Sequence, residues 1–263
     1  MINLNIFSLS KKNIFLSGGS GFLGRSMAWG LAESGANVII NSSKKKSCEF
    51  LVKDIKKAGY CAESAIFDIT DEKAIRDYFY TKKKLPMHCL INNAYRGSSG
   101  TIKNSNGSSY EDSYKITLVS AHNLLRYALK NLRLAVKTDG DASIINIASM
   151  YGLVSPDLKI YKNNHNPPHY GAAKAALIQW TRYAACEFGP EKIRVNAISP
   201  GPFPNFDTRK KTPRFARELA NNVPLRRLGH PDEIKGLVIM LASSSASYIT
   251  GANISIDGGW TSW

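Results

Sequence analysis

Short apolar runs alternate along this chain with longer stretches in which apolar residues recur every three or four positions. The runs fall at 14–17, 38–41, 62–67, 89–92, 143–147, 194–198 and 253–256. Each contains isoleucine, and they read as strands. The stretches between them read as helices. This alternation predicts a doubly wound α/β fold, a mostly parallel seven-stranded sheet with helices on both faces. The polar stretch 97–109 reads as a loop. With 263 residues, 43% of them hydrophobic, the chain can bury one substantial core, and no composition break marks a linker. A single domain over 1–263 is expected.

The first strand leads into Gly18-Gly19-Ser20-Gly21-Phe22-Leu23-Gly24 and then an amphipathic stretch to Ser34. Gly19, Gly21 and Gly24 have the spacing G-x-G-x-x-G between strand and helix, which lets backbone amides approach a pyrophosphate at a helix N-terminus. Gly18, Ser20, Phe22 and Leu23 belong to the same expected dinucleotide-binding turn. At the end of the second strand an acid would bind a ribose hydroxyl and repel a 2′-phosphate. Here the chain reads Asn41-Ser42-Ser43-Lys44-Lys45-Lys46. Hydroxyls and cations suit a phosphate, which favours NADP(H) over NAD(H); the other reading is a solvated lysine run opening a helix.

Ser149 stands just past the fifth run, after Ala148, and Tyr170 and Lys174 stand four residues apart. On a helix that spacing puts phenol and ammonium on one face, where the cation favours the phenolate. A free tyrosine has a pKa of about 10, so acid/base work near neutrality needs a shift of roughly three units, about 4 kcal/mol.

On these residues the chain resembles the short-chain dehydrogenase/reductase family along almost its whole length. Phe67-Asp68-Ile69-Thr70-Asp71 is similar to the family's third-strand end, and the resemblance implies that Asp68 and Ile69 hold the adenine. Asn92-Asn93-Ala94 resembles its Asn-Asn-Ala-Gly motif, placing Asn93 and Ala94 beside the adenosine ribose. Arg194-Val195-Asn196-Ala197-Ile198-Ser199-Pro200-Gly201 resembles the segment along the nicotinamide, which brings in Pro200, Gly201 and Phe203. The resemblance implies a Rossmann fold and hydride transfer between a nicotinamide and a carbonyl or secondary alcohol. Ser149 would hold the oxygen, Tyr170 would exchange the proton, and Lys174 would bind the ribose and lower the tyrosine pKa. A dinucleotide-binding sensor or scaffold is the alternative.

Four departures stand out. Phe22 replaces a usual glycine, and Tyr95 replaces the last glycine of Asn-Asn-Ala-Gly. Thr117 stands where an asparagine commonly completes a catalytic tetrad by holding a water, and Asn205 where a threonine often touches the cofactor amide. Thr117 could hold a water or bond its own helix backbone.

The composition adds a formal charge of +15, from 35 Lys plus Arg against 20 Asp plus Glu. The lysines lie in short runs without interleaved aromatics, so they read as solvated helix faces or as steering for an anionic ligand, not as a nucleic-acid surface. No apolar run is long enough for a membrane span, and the first nine residues lack a signal-peptide pattern, so a cytosolic protein is expected. Cys48, Cys61, Cys89 and Cys186 have no metal-ligand spacing, which points to reduced structural thiols and no metal site.

Two segments outside the shared motifs should set specificity. The connection 150–169 is longer than the family's usual one and carries Tyr151, Asp157, Tyr161, His165, Asn166 and His169. These groups suit a polyhydroxylated ligand, or mark a surface elaboration or oligomer contact. Residues 203–223 stand where the family keeps a mobile substrate lid, made basic by Arg209, Lys210, Lys211, Arg214 and Arg217, and an acidic substrate is expected. The wording of the loop resembles relatives acting on sugars and sugar acids. The family commonly forms dimers or tetramers through helices expected here at about 110–137 and 170–189, whose apolar faces fit either an interface or a monomer core. The ending Trp260-Thr261-Ser262-Trp263 extends the core or tucks into a neighbouring subunit.

Overall fold

The computed structural model describes residues 6–97, 99–161 and 166–262; His165 and Trp263, singled out above, lie outside them. Strands β1 (Asn13–Leu16), β2 (Asn37–Ser42), β3 (Ala62–Ile66), β4 (Cys89–Asn92), β5 (Ala142–Ile147), β6 (Ile193–Pro200) and β7 (Asn253–Ile256) form one sheet in the order β3-β2-β1-β4-β5-β6-β7. All six pairings are parallel. Each expected run is a strand; β4 and β7 have the expected ends, and the other ends move by one or two residues at most. β6 continues to Pro200 because Ser199 and Pro200 pair with Ser255 and Ile256.

The two-residue side-chain period sorts the core into two layers. Ile14, Leu16, Val38 and Ile40 meet α1 (Phe22–Glu33), α2 (Lys45–Lys57) and α10 (Ile234–Ala242) on one face. Phe15, Ile39, Leu90, Ile144 and Val195 meet α3 (Glu72–Thr81), α5 (Ser120–Asp139) and α7 (Pro168–Phe188) on the other. In α2 the buried residues are Cys48, Leu51, Val52 and Ile55, one stripe of an amphipathic helix. Fully burying one Leu or Ile stabilises by about 1.5–3 kcal/mol, so these layers dominate the favourable energy.

The helix expected over 110–137 begins earlier and is interrupted. α4 (Gly107–Tyr114) starts where Asn106 Oδ1 accepts from the Ser109 amide at 3.1 Å, so the loop after β4 ends at 106. A π turn, Lys115–Val119, then joins α4 to α5. α7 is fixed to the sheet by a buried relay: Asn92 donates to Asn146 (2.7 Å), Asn146 to Thr181 (2.8 Å), and Thr181 to the Leu177 carbonyl (2.8 Å).

After β3 the chain crosses to the far side of β1, so β1 and β4 flank the switch point where such sheets bind ligands. α6 (Leu158–Tyr161), α8 (Phe206–Lys211) and α9 (Pro213–Asn221) belong to the connections after β5 and β6. Trp260 is buried and packs against Tyr151 within its own chain, centroids 6.4 Å apart. Among the described residues no helix is long and apolar enough to cross a membrane.

Candidate active site

The turn after β1 is tied to the end of β4. Ser17 Oγ donates to the Ile91 carbonyl (3.2 Å) and accepts from the Asn93 (2.9 Å) and Ala94 (3.2 Å) amides, while Asn93 Nδ2 donates to the Ser17 carbonyl (2.9 Å). Gly18, at φ +62°, lies so close that a Cβ there would sit 2.7 Å from the Ala94 backbone. A Cβ on Gly24 would sit 2.3 Å from the Gly18 carbonyl oxygen, so the turn closes only with glycine at both positions. Gly19, the first glycine of the sequence motif, faces Ile40 and Leu16 instead of the cleft. The N-cap of α1, Gly21, makes no side-chain cap and no acid stands in the first turn, so the helix start suits an anion.

This turn forms one wall of a cleft of about 590 Å³ at the switch point. Gly18, Ser20, Gly21, Phe22, Leu23 and Gly24 line it, followed by Ser42, Ser43 and Lys44 from the end of β2. Ser20 donates to Ser42 (2.8 Å) and Ser47 donates to Ser20 (3.3 Å), so three hydroxyls converge there; Ser47 was not singled out by the sequence. Farther along stand Asp68, Ile69, Asn93 and Ala94.

Asp68, expected to hold an adenine, is already engaged. It accepts from the Thr70 amide and hydroxyl (both 2.8 Å) and from Arg96 (2.7 Å). Burial alone would raise its pKa, but these bonds outweigh it and hold the carboxyl below the usual range. Arg96 therefore belongs to the site, two residues past Asn-Asn-Ala, where the motif offered no signal for it.

The other wall holds Ser149, Tyr170, Lys174, Pro200, Gly201 and Phe203. Ser149 leaves β5 in an extended conformation, and its Oγ accepts from the Tyr151 amide at 3.1 Å. A Cβ on Gly171 would sit 2.6 Å from the Tyr151 carbonyl oxygen, so glycine beside Tyr170 lets the Ser149 turn approach α7. Lys174, buried one helical turn after Tyr170, donates to the Ile147 carbonyl at 2.6 Å.

The protein's own groups do not lower the tyrosine pKa as expected. Burial pushes the Tyr170 hydroxyl up to about 12, opposed by its interaction with Ser149, and burial pulls the Lys174 amine down to about 7. The same burial thus weakens the charged form of both groups, while the Lys174 amine stays 5.7 Å from the Tyr170 ring centroid, within reach of the phenol.

Thr117, expected among the catalytic residues, lies outside the main cleft; its neighbour Ile116 lines the cleft instead. It sits in the π turn, with its hydroxyl buried and bonded neither to its helix nor to any other group. It faces a separate cavity of about 10 Å³ with Asn92, Ser120 and Lys174, and Asn92 Oδ1 is also unpartnered.

The two segments expected to set specificity pack on each other. The Tyr151 and Tyr161 hydroxyls hydrogen-bond to one another, inside an apolar cluster with Met150, Ile160, Leu219, Val223 and Trp260. Tyr161 also meets Phe215 of α9 edge-on at 5.3 Å. Both hydroxyls expected to greet a polyhydroxylated ligand are thus satisfied internally, and Asp157 accepts from the Lys159 amide at 2.9 Å. Arg209 binds the Pro204 (3.0 Å) and Gly229 carbonyls, and Arg214 pairs with Glu218 (3.1 Å). Asn205 caps α8, accepting from the Thr208 amide at 2.7 Å.

The family model described as enoyl-(acyl carrier protein) reductase matches residues 20–261. A relative, the 3-oxoacyl-acyl-carrier-protein reductase of rhamnolipid biosynthesis from Pseudomonas aeruginosa, is 30% identical over 258 residues, covering 97% of this chain and 98% of its own. This chain belongs to the short-chain dehydrogenase/reductase family. Such an oxidoreductase also matches the Pseudomonas aeruginosa RhlG/NADP active-site complex, with a TM-score of 0.88 at 30% identity over 98% of this chain and 99% of that one. A putative gluconate dehydrogenase from Agrobacterium tumefaciens superposes on this dehydrogenase/reductase with a TM-score of 0.89 at 27% identity, over the same shares.

Proposed function

We propose that the chain is an NADP(H)-dependent oxidoreductase interconverting a carbonyl and a secondary alcohol. The observation that carries this reading is the meeting of Ser149, Tyr170 and Lys174 in one cleft with a glycine turn whose close packing leaves room for a pyrophosphate. Bound there, the dinucleotide supplies or accepts the hydride. Ser149 orients the substrate oxygen, and Tyr170 gives or takes its proton. Lys174 holds the nicotinamide ribose, and the positive charge that an oxidised nicotinamide brings adds to its own in favouring the phenolate. The choice of NADP(H) rests on Ser20, Ser42, Ser47 and Lys44 grouped where no carboxylate stands; the Pseudomonas aeruginosa complex contains NADP.

Thr117 serves by holding a water. Its cavity of about 10 Å³ has the volume of about one solvent probe, and two unpartnered oxygens with the Lys174 amine give a water its needed partners. Residues 203–223 act as a substrate lid on one catalytic domain, and copies of the chain associate through α5 and α7, where Tyr183 is exposed. Light scattering checks the association.

For substrate we propose a small polar carbonyl compound, a sugar or sugar acid, supported by the gluconate dehydrogenase likeness and by Lys210, Lys211 and Arg217 on the lid. A 3-oxoacyl thioester is the second reading, favoured by the apolar cluster beside Tyr170 and by the Pseudomonas relative. Following nicotinamide absorbance with NADPH or NADH against keto-sugars, keto-acids and 3-oxoacyl thioesters separates the two. No oxidation with any class, despite measured NADPH binding, would favour the sensor alternative.

A further inference from the structure

Tyr95 stands where the family's motif ends in glycine, and it changes the surroundings of the proposed proton donor. Its ring meets the Tyr170 ring edge-on at 4.7 Å between centroids. The Lys174 amine lies over both rings, 5.5 Å from the Tyr95 centroid and 5.7 Å from that of Tyr170. Two aromatic faces thus flank one buried amine whose hydrogen bond runs to a backbone carbonyl. Tyr95 lines the same cleft and packs against the apolar layer that includes Ile116. Its buried hydroxyl interacts with Ser113, and it is the ring that makes the contacts to Tyr170 and Lys174. A glycine would leave this side of the amine open to water.

We propose that Tyr95 is a positioning residue for the reaction, its ring holding Tyr170 and Lys174 in register and excluding water from the amine. The inference rests on the oxidoreductase reading of the cleft. An ammonium over an aromatic face is attracted by the ring quadrupole, most strongly where water is absent. The ring also shields the phenol next to it. The other titratable groups acting on this pair are Tyr151 and Tyr161, from the connection after β5. Neither offers a charge near neutral pH, so removal of Tyr95 has no carboxylate to compete with.

The test is the pH dependence of kcat in the reducing direction for the unaltered protein, Tyr95→Phe, Tyr95→Leu and Tyr95→Gly, with NADPH affinity and thermal melting measured alongside. Tyr95→Phe keeps the ring and should match the unaltered protein. In Tyr95→Gly water reaches both groups, so Lys174 stays charged and the Tyr170 phenolate is less disfavoured. The alkaline limb, where the proton donor is lost, should then move down by about one pH unit, a tenfold effect. Tyr95→Leu excludes water without a ring face and should lower kcat about threefold relative to Tyr95→Phe, the size of a modest cation–π contact. An unmoved limb in Tyr95→Gly, or an equal shift in Tyr95→Phe, overturns the inference. Should Tyr95→Gly not fold, equal kcat in the Leu and Phe variants overturns it. Silence of the unaltered protein on every carbonyl sinks the oxidoreductase reading, and this inference with it.

Discussion

The cleft has two halves built on different principles. The half proposed to hold the dinucleotide is made largely of main chain: Gly18 and Gly24 close the turn, Asn93 ties it to β4, and α1 opens toward it without a side-chain cap. The half proposed to take the substrate is backed, behind Tyr170, by side chains that have found one another: Tyr151 with Tyr161, Tyr161 with Phe215, and Arg209 with two carbonyls. Backbone geometry leaves a mark in the sequence, because only glycine tolerates the close approaches. Side-chain pairing leaves none, since a tyrosine facing a ligand and one facing another tyrosine are the same letter.

The largest test lies where the halves meet. Tyr170→Phe should lower kcat about a hundredfold to ten-thousandfold, the usual worth of a positioned acid/base, while the NADPH Kd stays within about twofold. Stopped-flow turnover and fluorescence titration read the two quantities. Full turnover in this variant ends the proposed mechanism.

A second test breaks the dinucleotide half alone. Ser42→Asp places a carboxylate among the three hydroxyls, where like charges would oppose a 2′-phosphate at a cost of a few kcal/mol, so NADPH affinity should fall about tenfold to a hundredfold and NADH affinity should not. If both cofactors weaken equally, the serines bind no phosphate.

The sequence carried more of the first half than of the second for the same physical reason. Apart from Gly19, the residues expected to hold the dinucleotide line the cleft, because strand ends and glycine spacing follow from period and steric limits. Asp68 met the limit of that reading: its position was legible, but its partner Arg96 comes from a loop 28 residues on and no local pattern announces the pairing. The π turn was equally invisible, since Lys115–Val119 has the composition of an ordinary helix, and it removes Thr117 from the main cleft. Beside the proposed substrate half, Tyr151, Tyr161 and Arg209 read from the sequence as ligand-facing groups, yet they bond within the protein. Their partners depend on how the connections after β5 and β6 fold onto each other, which only the packing decides.

A third test loosens the substrate half. Phe215→Ala removes an aromatic pair worth about 0.5–1.5 kcal/mol, so the substrate KM should rise about threefold to tenfold with the NADPH Kd unchanged. If NADPH binding weakens as much as KM rises, the halves are one cooperative unit and the contrast drawn above fails.

The smallest effect comes from a group that belongs to neither half and so controls for general loss of stability. His88 is buried, its Nδ1 accepting from the Asn13 amide (2.9 Å) and its Nε2 facing Asp139 (2.8 Å). Burial lowers its pKa below the ordinary imidazole value, outweighing the hydrogen bond to Asp139, and protonation at Nδ1 would break the Asn13 bond. The folded protein therefore resists a proton that the unfolded chain accepts at about pH 6.5, and the contribution of His88, full above that value, declines as the pH falls below it. Asp139 is shifted down as well, chiefly by hydrogen bonds from Thr138 and His88, so its own contribution fades only as the pH drops below the ordinary carboxylate value. His88→Gln should flatten the stability curve between about pH 6.5 and 5 and cost about 1 kcal/mol at neutral pH, read by urea unfolding. Its kcat and both binding constants should not move. A change in either would mean that the base of the sheet is coupled to the cleft, and the comparison between its halves would then have to be made at constant stability.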